Sequence, residues 1–205
     1  MGRRMTVVRL KDGRLWIHSS IRLQPADLEW LKAQGEAAYV VVPNIFHGSD
    51  APWMLTQFPN AQLFVPAAKH AHFVKQGLKP LSLGQFPQIS GELLNVATHG
   101  SRVDESVFLH VPSKTLILCD LAFNMGDVFS GFEKRFMGWN KVGGQFGPSR
   151  LTKLVFTKNR RAMVDSYRRI LEWDFDRVVV NHGDVLETGG KPLLRAGIER
   201  IFGKL

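Results

Sequence analysis

Apolar residues follow two kinds of pattern along the chain, and each kind predicts a different type of β-strand. The alternating segment Met5–Leu10 and the segment Leu15–His18 flank the turn residues 11–14, which predicts a β-hairpin. Ala38–Val42 is an unbroken apolar run, which is typical of a strand buried on both faces. Further strands are predicted at residues 62–66, 93–97 and 177–180, and a second hairpin over residues 105–121.

Segments with helical spacing of apolar residues lie between these strands. Pro25 stands in the first turn of one predicted helix, and Ser49 or Asp50 caps the start of another. Further helices are predicted over residues 67–76, 159–172 and 193–202. Because strands alternate with helices while two hairpins are antiparallel, we predict an α/β fold, a layered sandwich with mixed sheets.

The composition fits one domain over residues 1–205. The chain is 44% hydrophobic and 22% charged, which is ordinary for a globular protein. Cys119 is its one cysteine, which excludes an intramolecular disulfide and a cysteine-based zinc knuckle. Apolar stretches fall short of the roughly 18 residues of a membrane helix, and the N-terminal residues do not resemble a signal peptide. We therefore expect a soluble, cytoplasmic protein with no membrane partner.

The positive charge of the chain is concentrated in one segment. Residues 131–170 hold ten basic and two acidic side chains, a net charge of +8, whereas the other 17 basic and 16 acidic residues leave +1. Such an excess can attract a phosphate-bearing ligand, for which Lys141, Arg150, Arg160 and Arg161 are the predicted anion-binding residues. The alternative is a solvated basic face without a specific ligand.

The neighbouring residues 124–150 are rich in glycine and aromatic residues and have weak periodicity, which predicts a long loop with one or two helical turns. Phe132, Phe136, Trp139 and Phe146 are interleaved with the basic residues, so that stacking and phosphate contacts could combine on a nucleic acid. Their apolar character favours packing of this loop onto the sandwich instead, so nucleic acid is not the favoured partner.

Common nucleotide and hydrolase motifs are absent from the sequence. It contains no G-x-G-x-x-G, G-x-x-x-x-G-K-[ST], G-x-S-x-G or H-E-x-x-H. Dinucleotide-binding, P-loop, α/β-hydrolase and zincin functions therefore lose their main support.

Polar residues follow four of the predicted buried strands. These are His47, His99, Asp120 and His182. Ligands of open α/β folds bind along the edge where strands end, and three imidazoles with one carboxylate are suitable ligands for a first-row metal ion. Hydrogen bonding of His47 at a helix start, and capping or ion pairing by Asp120, are the alternatives that need no metal.

Five pieces of the chain, which together span most of it, occur in an order known from other proteins. They are Leu10–Leu23, Val41–His47, Glu105–Asn124, Trp173–Arg177 and Asn181–Asp184. In this order the chain resembles the metallo-β-lactamase fold superfamily and, within it, an uncharacterised family of bacterial and plant proteins. The resemblance implies a four-layer αβ/βα sandwich with its site at one edge of two facing sheets.

The resemblance also implies a set of metal ligands, which this chain matches in part. Catalytic members of the superfamily bind one or two metal ions through an H-x-H-x-D-H loop, a later histidine, an aspartate after a strand and a final histidine. His99, Asp120 and His182 match the last three positions.

The first loop departs from this pattern. Its four ligand positions are occupied here by Asn44, Phe46, Gly48 and Ser49. His47 then falls at a position that does not bind metal, unless the loop is shifted. Most of the ligands that would hold the first of two metal ions are therefore missing.

These observations support three hypotheses. The first is a hydrolase-like protein with at most one Zn, Mn or Fe ion held by His47, His99, Asp120 and His182, in which Asp120 and His182 carry the catalysis of a small-molecule substrate. Additional pocket residues are Asn44, Asp50 and Asp184, and the two aspartates are weak candidates for a general base. The second is a non-catalytic protein that has lost the metal and binds a ligand or partner. The third is a phosphate or nucleic-acid binder that uses residues 131–170.

Overall fold

The computed structural model describes residues 2–89 and 91–205 and contains two β-sheets. The first sheet consists of β1 (Thr6–Arg9), β2 (Leu15–His18), β3 (Ala37–Val41), β4 (Gln62–Val65) and β5 (Leu81–Ser82), in that order. The second consists of β6 (Leu93–Ala97), β7 (Ser106–His110), β8 (Thr115–Ile117) and β9 (Arg177–Val179), also in chain order. β1 is antiparallel to β2 and the rest of the first sheet is parallel, whereas β6, β7 and β8 are antiparallel and β9 is parallel to β8. Both sheets are mixed, as predicted.

Helices connect the strands, and those with buried residues pack on the outer faces of the sheets. They are α1 (Pro25–Gln34), α2 (Ala51–Gln57), α3 (His70–Lys75), α4 (Gly131–Trp139), α5 (Arg160–Glu172) and α6 (Gly190–Phe202). Short 3-10 turns occur at Ala67–Lys69 and Leu83–Gln85, and a π-helical turn occurs at Thr152–Phe156.

The alternation of side chains along the strands divides the core into three layers. In β2, Leu15 and Ile17 pack towards α1, α2 and α3, whereas Trp16 points between the two sheets. There Trp16 meets Phe108 of β7, with ring centroids 4.9 Å apart. The outer face of the second sheet packs on α5 and α6 around residues such as Tyr167. The predicted sandwich of four layers is therefore confirmed, and its two sheets face each other.

The structure differs from the sequence prediction in local detail. Residues 131–139, which were predicted to lie in a long loop with one or two helical turns, form the nine-residue helix α4. None of its residues is buried, so the sequence of this helix lacks the periodic apolar positions of a helix that packs on the core. The π-helical turn and the two-residue strand β5 are too short to leave a periodic pattern. Among the described helices, none is long and apolar enough to cross a membrane.

Candidate metal centre

Three loops bring His47, Asp120 and His182 together at one edge of the sandwich. His47 lies between β3 and α2, Asp120 follows β8, and His182 follows β9. The two sheets are tied together here, because the backbone N–H of Ser106 donates to the carbonyl of Pro43 at 3.0 Å. One ligand atom from each of the three side chains lies within 4.8 Å of the other two. We call these three residues the triad.

The carboxylate of Asp120 is the centre of the triad. Its Oδ2 atom lies 3.1 Å from His47 Nε2, and its Oδ1 atom lies 3.3 Å from His182 Nε2. Asn44 Nδ2 also donates to Oδ2 at 2.8 Å. Burial tends to raise the pKa of Asp120, but hydrogen bonds from His182 and His47 outweigh it and hold the pKa below its usual value. Asp120 is therefore an anion at neutral pH.

His182 is held by a partner that can only accept a hydrogen bond. Its Nδ1 atom lies 2.8 Å from the backbone carbonyl of Gly2, so Nδ1 carries a proton and Nε2 faces Asp120. Burial lowers the pKa of His182, but the hydrogen bonds to Asp120 and Gly2 more than compensate, and the pKa is raised. Nε2 is thus either the N–H of an imidazolium ion or a lone pair available to a cation.

His47 is oriented by Asn181, a residue that sequence analysis did not select as a site residue although it stands next to His182. Asn181 Nδ2 lies 2.8 Å from His47 Nδ1, and Ser19 Oγ lies 3.3 Å from the same nitrogen. In this orientation the amide donates to Nδ1, so a neutral His47 carries its proton on Nε2 and donates to Asp120. If the Asn181 amide is turned over, its oxygen accepts a hydrogen bond from a protonated Nδ1, and the lone pair of Nε2 is free for a metal ion. The amide orientation therefore selects the tautomer of His47.

Glu105 supports the triad from below and was also missed as a site residue. Its carboxylate accepts the backbone N–H groups of Cys119 and Asp120, each at 2.8 Å, and the side-chain N–H of Asn44 at 3.1 Å. Burial, together with the negative charge of Asp120, raises the pKa of Glu105 to about 8. The one signal in the sequence was a carboxylate at the head of an apolar, buried strand. Glu105 fixes the backbone that presents Asp120.

Glu105, Cys119 and Asp120 form a second group of potential ligands within 4.8 Å of one another. Burial, followed by the charges of Asp120 and Glu105, raises the pKa of the Cys119 thiol well above its ordinary value. Cys119 is therefore a neutral thiol at neutral pH, and the Glu105 oxygens already accept N–H groups. To bind this group, a metal ion would have to displace the thiol proton and the hydrogen bonds that Glu105 accepts.

Asn44 has a positioning function in the first loop. Its Oδ1 atom accepts the backbone N–H groups of Phe46 and His47 at 2.9 and 3.2 Å, while its Nδ2 donates to Asp120 and Glu105. The amide oxygen is thus engaged by the backbone of its own loop and does not face the triad as a ligand. This turn carries the His47 side chain to Asp120.

His99 does not lie in the triad. Its side chain is exposed, and its backbone N–H donates to Ser166 Oγ of α5 at 2.8 Å. The carbonyl of the following Gly100 accepts the N–H groups of Lys158 and Asn159, which attaches the loop after β6 to the start of α5. His99 matches the superfamily pattern in sequence, but this attachment holds its loop away from the other two strand ends.

A cavity of about 530 Å³ lies next to the triad, since Asn181 and Gly183, the chain neighbours of His182, line it, although none of the triad residues does. Its lining combines apolar with charged side chains and includes Arg4, Met5, Ile21, Met125, Val128 and Asp184. The volume suits a small organic molecule. Asp184 is exposed within it, whereas Asp50 lies outside the lining and accepts a hydrogen bond from Arg3 at 2.8 Å.

The predicted anion-binding residues lie elsewhere on the surface. Arg160 and Arg161 line a second cavity of about 390 Å³, whose lining comes from α5 and the C-terminal residues Phe202 and Lys204 and includes no neighbour of a triad residue. Arg150 lies over the ring of Trp139, with its guanidinium carbon 5.8 Å from the ring centroid. Lys141 is half-buried after α4.

The donors of the triad fit one divalent cation. Two imidazoles and one carboxylate form the ligand set of several catalytic zinc sites and of non-haem iron sites, which leave further positions open. The hydrogen bond from His182 Nδ1 to a backbone carbonyl is the arrangement that orients metal-binding imidazoles.

Comparison with known proteins identifies the fold. No protein-family model matches the chain, and no curated protein matches its sequence. The crystal structure of DIM-1 metallo-β-lactamase exposed to ceftazidime is similar with a TM-score of 0.59 and 13% identity, covering 97% of this chain and 90% of that one. A metallo-β-lactamase from Hirschia baltica has a TM-score of 0.54 and 12% identity over 98% and 83% of the two chains. FIM-1 from Pseudomonas aeruginosa in its mono-zinc form has a TM-score of 0.52 and 9% identity over 97% and 87%. The protein therefore has the metallo-β-lactamase fold.

Proposed function

We propose that this protein is a hydrolase that uses one divalent metal ion, held by His47, Asp120 and His182. The observation that carries the proposal is the convergence of these three ligand atoms within 4.8 Å beside an open cavity. The proposed ion is zinc, manganese or iron, since all three accept imidazole and carboxylate ligands.

One ion is proposed because the chain offers few further ligands near the triad. Phe46 and Gly48 have no metal-binding side chain, and His99 is attached to α5. Among the described residues, the other nearby group is the one that contains the neutral thiol of Cys119.

The residues of the chain would divide the work of hydrolysis between them. A divalent ion at such a site supplies Lewis-acid polarisation of a carbonyl or phosphoryl oxygen. The apolar wall of Met5, Ile21 and Met125 would bind the non-reacting part of a small substrate. Asp184 lines the same cavity and is the proposed acceptor of a proton from the attacking water. Asp50 is a poorer base, because Arg3 occupies its carboxylate.

A second candidate function is ligand binding without a metal and without catalysis. It is favoured by the contacts of Asp120, whose oxygens lie at hydrogen-bond distance from His47, His182 and Asn44. With His182 as an imidazolium ion, the triad satisfies its own charges, and the adjoining cavity would bind a ligand by shape and polarity.

Metal content and turnover distinguish the two functions. After purification without chelator, we expect close to one equivalent of zinc, manganese or iron per chain, together with hydrolysis of members of an ester and phosphodiester panel. Asp120→Ala and His182→Ala should lose both metal and turnover. His99→Ala is the matched control, because it removes an exposed imidazole outside the triad and should keep both. A wild-type protein that is empty and takes up none of the three ions would refute the metal hypothesis, and full turnover by Asp120→Ala would refute the site.

A further inference from the structure

Three of the four aromatic residues interleaved with the basic segment are exposed, which corrects the interpretation that they pack onto the sandwich. Phe132 is 82% exposed, Phe136 40% and Trp139 45%, whereas Phe146 is 8% exposed and belongs to the core. Phe146, together with the buried Val142 and the backbone hydrogen bonds between Gly147 and Phe123, attaches this segment to the core. The other three rings require a different explanation, because exposed apolar side chains that adjoin one another mark interaction surfaces.

The three rings share one face of α4, since they occur at spacings of four and three residues. Phe136 and Trp139 are stacked, with centroids 6.0 Å apart and an interplanar angle of 29°. The Arg150 guanidinium lies over Trp139. Met137, on a different face of α4, is half-buried. The helix thus turns its aromatic face to solvent and away from the core. We call this face the aromatic face.

Basic residues continue from this helix across the C-terminal part of α6. The guanidinium of Arg200 donates to the carbonyl of Phe146 at 2.8 Å and lies 3.4 Å from the carbonyl of Lys141, which follows α4. The guanidinium of Arg160, at the start of α5, donates to the carbonyl of Phe202 near the end of α6. These contacts place the segment after α4, the end of α6 and the start of α5 side by side.

The second cavity lies at the α5 end of this arrangement. Its lining consists of Arg160, Arg161, Val164, Arg168, Phe202 and Lys204. Asp165 neutralises Arg168 in part, at 2.7 Å, but residues 131–170 contain ten basic and two acidic side chains. The cations along these contacts, which we call the basic strip, are Lys141, Arg200, Arg160, Arg161, Arg168 and Lys204.

From these observations we propose that the aromatic face and the basic strip bind single-stranded nucleic acid. Exposed bases would stack on Phe132, Phe136 and Trp139, as bases do on aromatic side chains of single-strand-binding proteins. The phosphates would contact the cations of the basic strip. A second copy of this chain is a poor occupant, because two surfaces of the same positive charge repel each other. A duplex keeps its bases stacked inside and would not use the aromatic face.

Fluorescence anisotropy of a labelled oligo(dT) of about 15 nucleotides tests the proposal. At about 50 mM salt we expect a Kd on the order of 1–10 μM that weakens steeply as salt is raised. Phe132→Ala and Trp139→Ala should each weaken binding about tenfold, since one stacked base contributes on this scale. Arg161→Ala should lower the slope of log K against log salt by about 0.7, the contribution of one phosphate contact on a single strand.

Matched control variants separate this surface from a general effect of charge or exposed rings. Trp30→Ala removes a ring that is 65% exposed on α1, and Lys75→Ala removes an exposed cation on α3. Both should bind like the wild type, and circular dichroism should show that all variants are folded.

Several results with the wild type or the control variants would overturn the proposal. They are absence of binding at about 20 mM salt, equal losses in the control variants, duplex binding as tight as that of the single strand, and association with phosphatidylglycerol vesicles in place of the oligonucleotide. Wild-type affinity in Phe132→Ala and Trp139→Ala would mean that the surface binds by nonspecific electrostatic attraction without stacking, and it would also contradict the proposal.

Discussion

Glu105 is a buried carboxyl group directly beneath the triad, and its replacement by glutamine tests how the fold holds Asp120. Glu105→Gln keeps the size of the side chain and one carbonyl oxygen, but it removes the titratable proton. The wild-type carboxyl accepts N–H groups from Cys119, Asp120 and Asn44, whereas the amide nitrogen of glutamine would face such donors without accepting a hydrogen bond. We therefore expect the variant to be less stable than the wild type at acidic pH.

The magnitude of the pH dependence follows from the shifted pKa. Burial raises the pKa of Glu105 from 4.5 to about 8, so between these values the folded chain retains a proton that the unfolded chain has lost. A group whose pKa is raised on folding contributes stability that is lost as pH rises through the folded value. The free energy of unfolding contributed by Glu105 should fall by about 1.4 kcal/mol per pH unit in this window. Glutamine has no such contribution.

Urea unfolding followed by circular dichroism, in the presence of a chelator, measures this difference. The stability gap between wild type and Glu105→Gln should shrink by roughly 3 kcal/mol between about pH 5.5 and pH 7.5. His18, whose pKa burial lowers to about 3, and His182, whose pKa is raised, also titrate between the folded and unfolded states, but they are present in both proteins. A gap that stays constant with pH would refute the reasoning, because it would mean that the three N–H donors fully offset burial.

Three further predictions concern the shape and support of the site. Gly183→Ala should prevent correct formation of the site and lower metal uptake, because φ is +104° there and an added Cβ would overlap the Asn124 carbonyl oxygen. Gly77→Ala, at φ +78° with no atom within 4 Å of an added Cβ, is the control that should keep its metal uptake. Tyr167→Phe should lower the free energy of unfolding by about 1–3 kcal/mol in urea titrations, because it leaves a buried backbone carbonyl without its donor at 2.9 Å, and an unchanged value would contradict this. Deletion of residues 2–5 should weaken metal binding by about 10- to 100-fold, because His182 loses the Gly2 carbonyl that orients it. Competition titrations with a chromophoric chelator measure this affinity. Equal affinity in the deletion variant would show that His182 needs no such support.

The layers of the fold were predictable because their signals are local. The unbroken run before Pro43 and the alternation in Met5–Leu10 arise from periods of the backbone itself, and they correctly indicated a central and a hairpin strand. Helix α4 was not predictable in this way. The periodic apolar pattern of a helix marks the face that it buries in the core. The aromatic face of α4 points to solvent instead, so this helix lacks that pattern.

By itself, the sequence determined the order of the strands and helices other than α4 and β5, the metallo-β-lactamase fold through its resemblance, and the location of polar residues at strand ends. Only the tertiary structure decided which of those residues meet. His47 reaches Asp120 because Asn44 turns its loop, while His99 is kept away because Gly100 accepts hydrogen bonds from the start of α5. The physical reason is that periodicity depends on neighbours in the chain, whereas a ligand set depends on contacts between loops that are up to 135 residues apart, as between His47 and His182. Such contacts leave no periodic trace in the sequence.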